Sequence, residues 1–105
     1  MIGTHNTTQR VVKEDNNRVL SVVYHNTEVV KVINDEQVIL NNGGYPTATT
    51  KRRMNQASMQ YNLGFDVYQS DFCWYVRTAN EIVEYYNGIV IDIENKCISH
   101  EGEWD

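Results

Sequence analysis

Cysteine and proline are nearly absent from this 105-residue chain, which has two of the first, Cys73 and Cys97, and one of the second, Pro46. Two cysteines are too few for a disulfide scaffold, and they lack the spacing of a metal motif. No apolar run approaches the roughly 18 residues that a membrane-spanning helix needs. The opening Met1-Ile2-Gly3-Thr4-His5-Asn6 has no basic-then-apolar leader layout. Positive charge is scarce as well. Nine Lys and Arg stand against 14 Asp and Glu, a formal net charge of −5, which disfavours broad attraction to DNA or anionic membrane. What remains is ordinary globular usage, 41 % hydrophobic and 22 % charged, which excludes wholesale disorder. The length suits a single domain, 1–105, with one core. The expectation is a soluble protein of the cytoplasm with no membrane partner.

Catalytic signatures are missing too. His5, His25 and His100 stand far apart, and none has a partner at the i, i+4 spacing of a metal-binding helix. Cys73, between Phe72 and Trp74, reads as a small buried hydrophobe. Cys97 lies near an acidic end whose carboxylates raise a thiol pKa and blunt the nucleophile. Asn42-Gly43-Gly44-Tyr45 has too few glycines, and the wrong following element, for a nucleotide fingerprint. No catalytic residue, metal ligand or cofactor is therefore expected, and the chain reads as non-enzymatic.

The hydrophobic pattern changes period twice. Residues 1–17 are polar and are expected as a loose arm with one edge strand around Val11. Arg18–Tyr24, Glu28–Ile33 and Gln37–Leu40 are β-rich runs closed by His25-Asn26, Asn34-Asp35 and Asn41-Asn42-Gly43-Gly44, the punctuation of an antiparallel meander. Between Thr50 and Gly64, Met54, Ala57, Ser58 and Tyr61 fall on one helical face. Thr49 or Thr50 is expected to cap that helix, and Asn62 to Gly64 to stop it, with Gly64 free to turn left-handed. Alternation then returns from Phe65, turns at Ser70-Asp71, and runs on through Phe72-Cys73-Trp74-Tyr75-Val76-Arg77. Glu81–Tyr86 and Ile89–Ile93 flank Asn87-Gly88, the strongest short hairpin signal. Cys97-Ile98 suits a last edge strand, and residues 99–105 form an acidic tail. The sum predicts an α+β fold. It is a bent antiparallel sheet of about six to seven strands with one central helix, ordered three strands, helix, four strands.

Charge is segregated along this plan. Lys51-Arg52-Arg53 is the one basic cluster, and from residue 65 onward nine acids face two bases. Gly43 and Gly44 let a backbone approach a ligand closely, and threonines at a helix start present hydroxyls and free N–H groups to an anion. With Tyr45, Thr49, Thr50, Lys51, Arg52 and Arg53 they make an expected anion- or partner-binding site. The plainer alternative is that the glycines leave a hairpin, the threonines cap the helix and the bases are solvated. Among the acids, Glu84 is expected across the Asn87-Gly88 hairpin from Asp92 and Glu94. With Glu101, Glu103 and Asp105 they form an acidic surface, which is either the wet side of a sheet or an imitation of DNA phosphates.

The runs Leu40-Asn41-Asn42-Gly43-Gly44, Thr49-Thr50-Lys51-Arg52-Arg53-Met54-Asn55-Gln56, Leu63-Gly64-Phe65 with Val67-Tyr68-Gln69 one residue on, and Trp74-Tyr75-Val76 resemble those of a group of small phage-encoded proteins of unknown function. The likeness covers residues 24–77, with Tyr45 and Ser70 standing where the group often has a tryptophan and a basic residue. The resemblance implies a viral accessory protein acting inside a bacterial host, and it supplies no catalytic residue. Three functional classes follow. The leading one is an acidic phage protein that binds and inhibits a host factor, a protein or ribonucleoprotein of antiviral defence such as a CRISPR effector. The alternative is a nucleotide- or anion-sequestering protein that uses the Gly-Gly-Tyr loop and the Lys-Arg-Arg helix start. An enzyme is the least supported. A homodimer through the aromatic hairpin Phe72-Cys73-Trp74-Tyr75 is compatible with the first two.

Overall fold

Runs of β-branched residues, each closed by a left-handed turn, build the first half of the chain. The structure is a computed structural model that describes residues 7–14, 17–44 and 47–99. Strands β1 (Thr7–Glu14), β2 (Asn17–Tyr24), β3 (Thr27–Ile33) and β4 (Gln37–Leu40) pair antiparallel in sequence order. His25 and Asn26 take φ of 50° and 64°, the pair of positive values that matches strand twist in a tight hairpin. Helix α1 (Ala48–Tyr61) follows, then β5 (Asp66–Ser70), β6 (Cys73–Arg77) and β7 (Ile82–Glu84), which make a three-stranded sheet of their own. Strands β8 (Ile89–Asp92) and β9 (Cys97–Ser99) return to the first sheet, whose order is β1-β2-β3-β4-β8-β9.

The core lies between the two sheets and the helix. Val22, Val30, Val32, Val38, Leu40, Ile89 and Ile91 come from the large sheet, Met54 and Ala57 from α1, and Val67, Trp74 and Val76 from the small sheet. The helix face is the one its spacing predicts: Met54, Ala57 and Ser58 are buried, and Tyr61 packs against the cluster. Ser58 Oγ fixes the exit from the helix by donating to the Phe65 carbonyl (2.6 Å) and accepting from the Phe65 N–H (3.1 Å).

Two sheet edges are sealed by side chains. An open strand edge is a row of unpaired donors and acceptors, and proteins cover it. On β5, the Asn55 amide acts as a substitute strand: its Nδ2 donates to the Val67 carbonyl (2.9 Å) and its Oδ1 accepts from the Val67 N–H (2.8 Å). On β9, the Glu81 carboxylate accepts from the Ile98 N–H (2.8 Å), and Asn80 donates to the Asn95 and Lys96 carbonyls. Asn55→Ala removes both bonds to Val67 at once and leaves a half-buried strand edge without partners. Chemical denaturation is expected to show a loss of about 2 kcal/mol.

The α+β class and the single helix agree with the sequence reading, and several particulars differ. The edge strand expected around Val11 is present, and at residues 7–14 it takes up much of the stretch read as a loose arm. The helix starts two residues early, capped by Thr47, whose side chain accepts from the Thr50 N–H. Its stop lies within the expected Asn62–Gly64, with both Asn62 and Gly64 at positive φ. The single bent sheet is two sheets with nine strands among the described residues. The Asn87-Gly88 pair closes no hairpin, because β7 pairs with β6 while β8 pairs with β4 and β9. Of that pair Gly88 alone has positive φ (88°), the pattern of an ordinary turn, which splays the flanking strands apart. Cys73 is exposed rather than buried. The small sheet covers the core with one face, so Trp74 and Val76 point inward and the alternate positions of β6 point to solvent.

Candidate functional site

Two surfaces carry the residues of interest, one at the start of α1 and one on the outer face of the small sheet. At the first, Asn41 Oδ1 accepts from the Gly43 N–H (2.7 Å) and Asn42 Oδ1 from the Gly44 N–H (2.9 Å), which folds the β4–α1 loop back toward the β2–β3 turn. Gly43 sits at φ +64°, and a Cβ there would lie 2.3 Å from Thr27 Oγ1, so only glycine fits without displacement. The Asn42 N–H is held by Asn87 Oδ1 (3.0 Å), which also accepts from the Tyr85 hydroxyl (2.7 Å). Burial pushes the Tyr85 phenol far above its ordinary pKa, and the Asn42 backbone bond offsets this only in part, so it stays a neutral donor. Between these parts opens a cleft of about 440 Å³ lined by Tyr24, His25, Thr27, Val29, Asn42, Thr47 and Thr50.

The three bases do not converge on this cleft. Successive helical residues are rotated by about 100°, and the side chains fan out accordingly. The Arg53 guanidinium lies 5.6 Å over the Tyr24 ring, beside the cleft. Lys51 turns the other way, bonding Gln69 Oε1 (2.9 Å) and standing 5.5 Å from the Trp74 ring centre. Arg52 lines a shallow groove between α1 and β5 together with Lys51, Met59 and Tyr68. Thr50 is buried and joined to the cap residue Thr47, while Thr49 is half-exposed. Gly43 and Gly44 shape the loop, and Tyr45 lies outside the described residues.

The expected acidic stripe is not assembled. Glu84 is on the small sheet and Asp92 on the large one, with Glu94 in the turn that follows β8, because the intervening turn joins two sheets instead of closing a hairpin. Asp92 serves the fold instead, accepting from the Asn95 N–H (3.0 Å) and the Asn95 side-chain amide (2.8 Å). Those bonds, the backbone one first, hold its pKa below the ordinary carboxylate value. Its contribution to the β8–β9 turn is therefore present above the unfolded carboxylate pKa and fades as pH falls through the lowered folded value. Glu101, Glu103 and Asp105 lie outside the described residues.

The outer face of the small sheet gathers residues from three strands, of which the sequence reading had named only the aromatic hairpin Phe72-Cys73-Trp74-Tyr75, as a homodimer surface. Register places Asp66, Tyr68, Tyr75, Arg77, Ile82 and Glu84 on one face. Tyr68 and Tyr75 stack, with centroids 5.6 Å apart and planes 25° apart. Arg77 lies 5.1 Å over the Tyr68 ring and pairs with Asp66 at 2.5 Å. At the tip, Phe72 is 95 % exposed and takes φ +70° in the β5–β6 turn, next to Asp71 at +50°. The legible signal for this was the parity of β5 and β6, which leaves two residues for the turn, one of them bulky.

Among the described residues no group of three His, Cys, Asp or Glu side chains is arranged to hold a metal ion, and no helix is long and apolar enough to cross a membrane. No curated protein and no solved structure matches the chain. The sequence model of one family, described as Kyanoviridae Gp96 protein, matches residues 2–92 of the 105. This small α+β protein therefore belongs to that family of phage proteins.

Proposed function

We propose that this phage protein is a non-enzymatic accessory factor that works in the host cytoplasm by binding and inhibiting a host factor, a protein or ribonucleoprotein of antiviral defence such as a CRISPR effector. The observation that carries the reading is Phe72. A bulky residue in the left-handed region is disfavoured by about 1–2 kcal/mol relative to glycine, and a side chain 95 % exposed recovers none of this by burial. Strain without burial marks a residue kept for something outside the fold. Phe72 stands at the tip of the Tyr68–Tyr75 face, so the small sheet offers aromatic contact area with charge around it, the composition favoured at protein interfaces. The acidic-stripe version of this function has lost its geometry and does not support the reading.

The test is affinity capture from a bacterial host lysate with the parent chain and with Phe72→Asn. Asparagine tolerates the left-handed conformation, so the variant is expected to fold with equal or slightly higher stability while captured host protein falls at least fivefold. Undiminished capture would remove Phe72 from the interface and the reading with it.

The cleft beside α1 supports a second reading, a nucleotide- or anion-sequestering protein. Its volume is within the range of small-molecule sites, Thr27, Thr47 and Thr50 line it, and Arg53 flanks it. Thermal unfolding with adenosine triphosphate, and separately with inorganic phosphate, tests this. Saturation at about 100 times Kd adds about 2.7 kcal/mol of stability, and Arg53→Ala is expected to abolish most of the shift. An unshifted parent protein ends the reading.

A further inference from the structure

The outer face of the small sheet already contains one guanidinium seat, and it is filled. Arg77 lies over the Tyr68 ring at 5.1 Å and pairs with the Asp66 carboxylate at 2.5 Å. A ring beneath the planar cation and a carboxylate at its edge satisfy both its face and its donors. The next position across the sheet repeats these parts. Tyr75 stacks on Tyr68, and Glu84 is the direct cross-strand partner of Tyr75. Among the described residues no cation lies over Tyr75, and Glu84 forms no ion pair.

We propose that Tyr75 and Glu84 form a second seat of the same kind, open to an arginine side chain supplied by a partner protein. The inference rests on the binding function proposed above and names the chemistry of the partner's contact. Charge complementarity supports it. Asp66 is already matched by Arg77, and Lys51 and Arg52 line the groove beside Tyr68, whereas Asp71 and Glu84 are the carboxylates that act on Tyr75. The Tyr75 phenol registers this field, being pushed above its ordinary pKa by Cys73 first, then by burial, Glu84, Asp71 and Tyr68. Arginine suits the seat better than lysine, because a flat guanidinium can lie on a ring and fork to a carboxylate together, whereas an ammonium is a compact, strongly hydrated point charge.

The experiment titrates the isotope-labelled protein with hexa-arginine and, separately, hexa-lysine at low salt, following backbone amide shifts by NMR. Hexa-arginine is expected to perturb β6 and β7 around Tyr75 and Glu84, and to bind at least about fivefold more tightly than hexa-lysine. Glu84→Gln and Tyr75→Leu are each expected to weaken hexa-arginine about three- to tenfold, with Glu94→Gln, on another part of the surface, unchanged. Equal binding of the two peptides, perturbation centred elsewhere, or an unaffected Glu84→Gln would overturn the seat. Should Tyr75→Leu fail to fold, Glu84→Gln and the parent's perturbation map still decide. Failure here alongside Phe72-dependent capture would sink the seat alone. Peptide binding without any captured host protein would sink the host-factor reading and leave the seat standing.

Discussion

Met54→Ala is expected to lower the unfolding free energy by about 2–5 kcal/mol, a large share of the roughly 5–15 kcal/mol that holds a domain of this kind together. Met54 is fully buried and belongs to the cluster that joins both sheets to the helix. Truncation removes its transfer free energy and leaves a cavity that neighbours from three elements cannot fill together. Two positions earlier, Arg52 projects into the groove beside β5, and Arg52→Ala is expected to change stability by less than about 0.5 kcal/mol. Urea unfolding of the two variants separates structural from surface residues within a single eight-residue run, Thr49 to Gln56. A loss below about 1 kcal/mol for Met54→Ala would mean that the helix does not lock the two sheets together.

Gly43→Ala has a comparable expected effect through a different mechanism, about 2–4 kcal/mol. One part is the left-handed backbone, near 1 kcal/mol for alanine. The rest is overlap with Thr27, whose Oγ1 and Cγ2 would lie 2.3 and 2.8 Å from the new Cβ. Thr27→Ala removes those two atoms. The double variant is therefore expected to recover about 1–2 kcal/mol of the loss, a coupling that two independent sites would not show. Thermal unfolding of the four proteins in the cycle measures it. Additive losses would place Gly43 and Thr27 apart.

The first half of the fold was legible because local chemistry decides it. His25-Asn26 accepts positive φ at both positions, so β2 and β3 must pair, and the spacing of Met54, Ala57 and Ser58 leaves the helix one face to bury. The second half was less legible because one turn has two uses. Asn87-Gly88 forms a turn as expected, but Gly88 N–H donates to the Leu40 carbonyl and Asn87 takes the Asn42 N–H. Such long-range bonds send the chain into the other sheet, and no local pattern records them. For the candidate site, the sequence showed which residue types stand at the start of α1 but not which way each side chain points. Three consecutive bases on a helix cannot share one target, and Asn55, two residues after the cluster, serves the β5 edge. The Tyr75–Glu84 pair was invisible because it depends on the β6–β7 register, which only the assembled sheet reveals.

The exposed turn at Asp71-Phe72 has a consequence for how this protein can change over generations. Its side chains lie outside the buried cluster, so core packing does not limit them; tolerance of positive φ does, and glycine or asparagine at position 72 would even relieve the chain. Under the proposed function, recognition and foldedness are thereby encoded in separate residues. On that reading a lineage can rewrite the fingertip of the hairpin, following a changing partner, while the scaffold beneath it stays the same.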